Sequence, residues 1–213
     1  MMDELSLRDN IREAFLQLQG DRVFAGGRVF ANLSIAKGLG GAFGGSEGGS
    51  AYTSRIDASN NFFRTNIDFV RYQPLDEVSS AVVRVSGQWS PDNLLASEEW
   101  LIGGADSVHG YSIGEGAGDS GYFASLSLRS NPLQNKEGLQ VAAFFDYGYS
   151  CKRNIFPGGE HKTVLSGFGV GLSSRFMSIA PTSLRLDLGF PINPSTNHID
   201  ENPVLYLQTS IRL

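Results

Sequence analysis

The sequence predicts an all-β fold, an antiparallel sheet that closes as a membrane β-barrel, and three observations carry that expectation. The first is alternation: Leu184, Leu186, Leu188 and Phe190 share one face of a segment whose other face holds Arg185, Asp187 and Gly189. The stretch from Leu139 to Tyr149 repeats the pattern, with Leu139, Val141, Ala143, Phe145, Tyr147 and Tyr149 on the apolar side. The second observation is where charge falls. Arg84, Arg129, Asp146, Arg175, Arg185 and Asp187 all lie on the polar faces, where a packed sandwich core would have to bury them unpaired but a barrel would turn them into its lumen. The third is that aromatic residues end the apolar faces, Tyr147 and Tyr149 on one strand and Trp89 beyond Ala81, Val83 and Val85 on another, as an interfacial girdle requires.

Composition agrees with this class and excludes others. The 213 residues include 26 Gly and 14 Phe, only 18% are charged, and no sustained 3.6-residue period is present, so turns and strands dominate. Mean hydropathy is −0.13, and no apolar run approaches the roughly 18 residues of a spanning helix. A net charge of −5 gives no footprint for nucleic acid. The chain reads as one unit, without a linker. Cys151, the single cysteine, cannot form an intramolecular disulfide and reads as a loop thiol. The N-terminus MMDELSLRDN has neither a basic segment nor an apolar core, so it is not a secretory leader, and the expectation is that an upstream part of the gene product is missing.

About ten strands are expected, near residues 10–20, 26–38, 59–72, 78–90, 95–103, 120–130, 138–149, 162–176, 182–192 and 203–213. In the second half the connections alternate between short and long, which places short turns in the periplasm and longer loops outside. By the same parity the glycine-rich stretch Gly38 to Gly49 becomes a long periplasmic connection, against the short-turn rule. It is no phosphate-binding loop, since no Gly-Lys-Ser/Thr follows it.

The most informative segment is Leu94 to Tyr111, LLASEEWLIGGADSVHGY, followed by GDSGY at Gly118 to Tyr122. Gly103 and Gly104 permit a chain reversal with positive φ. The segment resembles the signature loop of the TpsB (haemolysin activator) outer-membrane translocators of two-partner secretion, whose pattern is LL-x-SE, GG, V-R-G-Y and GD-x-G. Smaller patterns look like the same family: Arg71 to Leu75 for R-x-Q-x-L, Gly87-Gln88-Trp89 before the loop, Phe144, Asp146 and Gly148 for F-x-D-x-G, Gly167, Gly169 and Gly171 in a G-x-G-x-G strand, and Leu186 to Pro191 in the penultimate strand. Leu205, Leu207, Thr209, Ile211 and Leu213 share one face of a segment that resembles a terminal barrel strand, with Leu213 in place of the usual final aromatic.

The resemblance implies a sixteen-stranded barrel with five strands after the loop, preceded by periplasmic POTRA domains. Residues 1–213 would then be about the last ten strands, with the loop at 104–121 and the POTRA domains and first strands absent. It implies an outer-membrane location in a Gram-negative-type bacterium and export of an unfolded partner exoprotein without a cofactor. The implied partners are that secreted exoprotein, outer-membrane lipid and the barrel-assembly machinery. Within the site, His109, Gly110 and Tyr111 would anchor the loop against Phe144, Asp146 and Gly148 on the barrel wall, while Gly103, Gly104, Gly118 and Asp119 shape it. His109 stands where the family has arginine, and a histidine offers a weaker, pH-dependent contact. A loop residue without a partner is the other reading of His109.

No catalytic or metal site is expected. No G-x-S-x-G occurs, the adjacent Glu98 and Glu99 would point to opposite faces of a strand, and His109, His161 and His198 lack metal-ligand spacing. Two other functions are compatible with the barrel: a barrel-assembly or protein-import member of the same superfamily, and a passive or degenerate barrel. Ten strands cut from a larger barrel would leave exposed edges.

Overall fold

A computed structural model of the chain describes residues 7–49, 52–132, 138–153, 162–177, 181–193 and 203–211. Nine antiparallel strands form one sheet: β1 (Glu13–Phe24), β2 (Gly27–Gly38), β3 (Phe63–Pro74), β4 (Ser79–Trp89), β7 (Ser120–Ser130), β8 (Gln140–Cys151), β9 (Lys162–Met177), β10 (Pro181–Pro191) and β11 (Val204–Ile211). Each pairs with its neighbour in sequence, so the sheet is an uninterrupted meander with β1 and β11 at its edges. Two short strands, β5 (Trp100–Ile102) and β6 (Gly116–Gly118), pair only with each other.

The expected strand at 95–103 is therefore corrected. Ala96–Glu98 is a 3-10 turn, and only three residues beyond it are extended, pairing inside the connection between β4 and β7. Removing that strand from the wall reverses the parity of everything before it. The glycine-rich segment after β2 now lies at the same end of the sheet as the β4–β7 connection, the loop end, while residues 25–26 and 75–78 join strands at the opposite, turn end. The long connection that broke the short-turn rule no longer breaks it. Glu98 and Glu99 are corrected likewise: they leave a turn rather than a strand, and they diverge to different arginines, Glu98 to Arg64 at 2.6 Å and Glu99 to Arg55 at 3.2 Å.

The two faces of the sheet differ as the alternation requires. Leu126, Phe145, Val170, Leu184, Leu186 and Leu205 are exposed on the outer face, a band far beyond what a water-soluble monomer tolerates. Leu188 and Phe190 on the same face of β10 are half-buried, Phe190 because it stacks on Phe168 with centroids 5.2 Å apart. Near the loop end the band closes in aromatics: Trp89 meets Phe63 edge-on at 6.2 Å, and Tyr122 stacks with Tyr147 and Tyr149 at 6.0 and 5.4 Å. The opposite face carries Asp146, Asp187, Ser127, Gln88 and a column of glycines. No helix among the described residues is long and apolar enough to cross a membrane.

Candidate functional site

The connection from β4 to β7 folds back over the polar face of the sheet and supplies many of the buried residues, Leu94, Leu95, Ile102, Val108, His109, Tyr111 and Asp119 among them. Ile102, Val108 and Tyr111 from this loop pack with Phe123 of β7 and Leu165 of β9 in one fully buried cluster. Burying each such side chain contributes about 1.5–3 kcal/mol, so the loop is held in place by apolar contact before any polar bond is counted. The apolar residues sit here because the outer face meets lipid and the inner wall is polar. A second buried apolar cluster joins Leu94 at the base of the loop to Ala36 of β2 and Phe62.

Close approach requires wall residues without side chains. A Cβ on Gly189 would lie 2.6 Å from the Gly110 nitrogen, one on Gly148 would lie 2.7 Å from Val108 Cγ2, and one on Gly167 would collide with the His109 carbonyl oxygen. These three glycines on three adjacent strands form a seat for the loop tip. Gly110 is itself pressed on the Phe190–Pro191 backbone at φ +95°, a conformation open chiefly to glycine. Gly148→Val should therefore leave the barrel wall intact and unseat the tip. Its loop would be cut by protease at least as fast as a loop-deleted control is at flanking sites, and parental resistance would show that the glycine seat does not matter.

At the tip, His109 faces two carboxylates. Its Nδ1 lies 2.6 Å from Asp146 Oδ2, which also accepts from the His109 backbone N–H at 3.2 Å. Nε2 lies 3.8 Å from Asp187 Oδ2, an ionic separation, and Arg185 Nε approaches that same oxygen at 2.5 Å. The ring is tilted over Phe144 at 4.3 Å and meets Tyr206 edge-on at 5.3 Å. Burial pushes the imidazole pKa down, but the hydrogen bond to Asp146 and the nearby charges of Asp146 and Asp187 outweigh it, so the net shift is upward from 6.5. The direction is consistent with the geometry, because only the doubly protonated ring presents a donor to both carboxylates.

Tyr111 and Tyr206 complete the tip. Tyr111 donates its hydroxyl to the Ser166 carbonyl at 2.8 Å and accepts from the Asn193 N–H at 3.1 Å. The Tyr206 hydroxyl accepts from the Gly110 and Tyr111 N–H groups at 2.9 and 3.1 Å and donates to the Tyr111 carbonyl at 2.8 Å. One phenol thus satisfies three backbone groups of the reversed chain. Tyr206→Phe should cost about 1–3 kcal/mol for the groups left unpaired, read as a lower urea midpoint for release of the loop. An unchanged midpoint would mean that water replaces the hydroxyl.

The base of the loop is fixed separately. Asp119, fully buried, receives both terminal nitrogens of Arg55 at 2.5 and 3.1 Å, the Leu94 N–H at 2.8 Å and the Arg153 N–H at 2.8 Å. Arg55 comes from the β2–β3 connection and also reaches Glu99 at 3.2 Å and the Leu94 carbonyl at 3.3 Å. Gly103 and Gly104 turn the chain at φ +100° and +101°, and Gly118 presses on the Cys151 backbone.

Of the residues singled out by sequence, His109, Gly110, Tyr111, Phe144, Asp146 and Gly148 are brought together at the tip, while Gly118 and Asp119 lie at the base. Sequence reading missed Arg55 and Tyr206, and recorded Asp187, Gly167 and Gly189 without assigning them to the site. The only available signal was that Asp187 faced inward beside Gly189. His161, His198 and Leu213 lie outside the described residues. Among the described residues no group of three or more His, Cys, Asp or Glu side chains could hold a metal ion.

An inward-folded loop seated on a curved meander with a lipid-type outer face defines an outer-membrane barrel wall carrying its own plug. The chain belongs to the haemolysin secretion/activation protein family ShlB/FhaC/HecB, whose profile matches residues 6–174. It is a family of two-partner secretion transporters of the outer membrane. The fold is similar to that of CdiB from Escherichia coli, with a TM-score of 0.76 and 19% identity over 94% of this chain and 36% of that one. CdiB from Acinetobacter baumannii is similar at a TM-score of 0.65 and 20% identity, over 92% of this chain and 32% of that one. The chain thus spans about a third of the length of these solved relatives. No curated protein matches the sequence significantly.

Proposed function

We propose that these nine strands are the loop-bearing part of the wall of a translocation barrel in the outer membrane, through whose lumen an unfolded exoprotein is exported. The observation that carries this reading is the position of the β4–β7 loop. It fills the concave polar face with a buried tip, so that its departure would open a polar path along the wall. The barrel is completed by strands outside this sequence, because β1 and β11 are open edges and an unclosed sheet leaves backbone groups unsatisfied in lipid. Lipid covers the outer aromatic-rimmed band, and barrel-assembly machinery inserts the sheet. His109, Asp119 and Asp146 are engaged in holding the loop, which supports a transport role over a catalytic one.

Two positions on β7 test the reading. Ser125 pairs with Arg84 and Asp146 and faces inward, whereas Leu126 is 47% exposed on the outer face. A photocrosslinker at 125 of the full-length protein should capture the exoprotein during secretion, and one at 126 should not. Equal capture at both, or none at 125 while secretion proceeds, would sink the reading.

A further inference from the structure

Below the seated tip, towards the turn end, the inner wall changes character. Arg129 of β7 and Arg185 of β10 line one polar cleft of about 60 Å³ together with Ser127, Gln140 and Ser173. The strands between them contribute no charge to it: Gln140 opposes Ser173, and Ser173 opposes Arg185. Arg84 lies on the same inward face of β4, four residues along from Ser80, which pairs with Arg129. Three guanidiniums therefore lie along one stretch of the inner wall, Arg84 on the row of Ser125 and Asp146, Arg129 on the row of Asp187, and Arg185 on the row of Ser173 and Gln140. The carboxylate that lines the cleft, Asp187, is already engaged by Arg185 and His109.

Two of the three arginines have no carboxylate partner among the described residues, Arg185 alone being paired with Asp187. Among the described residues Arg129 makes one hydrogen bond, from Nε to Ser127 Oγ at 3.3 Å, which leaves its terminal nitrogens directed to no carboxylate. Arg84 donates to the Asp106 carbonyl at 3.4 Å and lies over the Phe123 ring at 5.5 Å, again without a carboxylate partner. Like charges gathered on an enclosed wall repel and raise the energy of the empty site, and a guanidinium fork is shaped for carboxylate oxygens. What fits is an anionic group of carboxylate geometry that arrives from the turn end. Its most abundant source in a lumen that passes polypeptide is the aspartate and glutamate of that polypeptide.

We propose that Arg84, Arg129 and Arg185 form a carboxylate-recognition patch that engages acidic side chains of the unfolded polypeptide as it enters the lumen, an inference that rests on the translocator reading above. Electrostatic capture of this kind sets the rate and selectivity of entry more than tight retention. Arg129 and Arg185 act below the plug tip, on the turn side of the row that holds Asp146, so an acidic segment is held before the tip has to leave.

The test uses the full-length protein in detergent and two fluorescent peptides, deca-glutamate and deca-lysine, with binding read by anisotropy at low salt. Deca-glutamate should bind about tenfold or more tighter than deca-lysine, and added salt should weaken it. Arg129→Gln combined with Arg185→Gln should remove that preference, Arg129→Lys should retain part of it because charge persists without the fork, and Arg22→Gln on the remote strand β1 should leave it unchanged. Heat-modifiable migration of each variant checks that the barrel is intact. Equal binding of the two peptides, or full deca-glutamate binding by the double variant, overturns the patch. Selective peptide binding without exoprotein capture at position 125 would leave the patch standing and defeat the translocator reading.

Discussion

Asp119→Ala is expected to detach the base of the loop at a cost of about 3–5 kcal/mol, the usual penalty for stranding a buried charge. The carboxylate removed is the common acceptor for Arg55, the Leu94 N–H and the Arg153 N–H, so three segments lose their junction at once. Arg55, 14% exposed, would keep Glu99 as a carboxylate neighbour but lose the acceptor it binds through both terminal nitrogens. Limited proteolysis between residues 90 and 119 should accelerate by at least two orders of magnitude, with the wall strands still resistant. Arg55→Ala should do nearly the same, and the double variant should be little worse than either single one, because both remove one interaction. Additive losses would mean that Arg55 and Asp119 act independently, and parental proteolysis in both would remove the clamp altogether.

The tip should respond to pH where the base does not. His109 has a folded pKa above its ordinary value of 6.5, so the imidazolium is bound more tightly in the seated loop than in the released one. That stabilisation is fully present below 6.5 and is lost as pH rises through the folded value. Protease resistance at the tip should therefore be greatest in mildly acidic buffer and fall on the alkaline side of 6.5. A hydrogen bond to a charged group is worth about 1.5–3 kcal/mol, which sets the size of the change. His109→Arg should abolish the pH response and make Asp146→Ala more damaging than it is in the parent. A flat profile in the parent, or a response that survives in His109→Arg, would place the titrating group elsewhere.

Much of the wall was legible because lipid on one side and a polar lumen on the other impose strict period-2 alternation, as in Leu184, Leu186 and Asp187. The false strand at 95–103 arose because Trp100, Leu101 and Ile102 really are extended. Period alone does not say whether a strand pairs with the wall or with Gly116–Gly118 inside a loop. The resulting parity error surfaced as the misplaced glycine-rich connection, a contradiction that geometry resolves. The loop tip was readable from a contiguous motif. Its partners were not, because Arg55 lies 64 residues from Asp119, and Tyr206 lies 96 from Gly110 and 95 from Tyr111. Nothing in a local pattern distinguishes an inward tyrosine that caps three backbone groups from one that merely faces water.

Tyr206 belongs to β11, the eight-residue strand at the free margin of the sheet. The plug is consequently bolted to a marginal strand of this sheet as well as to its centre, where Asp146 of β8 and Ser166 of β9 hold His109 and Tyr111. Part of the force that draws the tip out of its seat is delivered through the Tyr206 phenol to β11, and any strain that spreads β11 from β10 pulls on the tip in return. Unplugging and seam movement are in this arrangement two ends of the same lever. A strand that closes the wall against β11 would stiffen the lever and so tighten the plug.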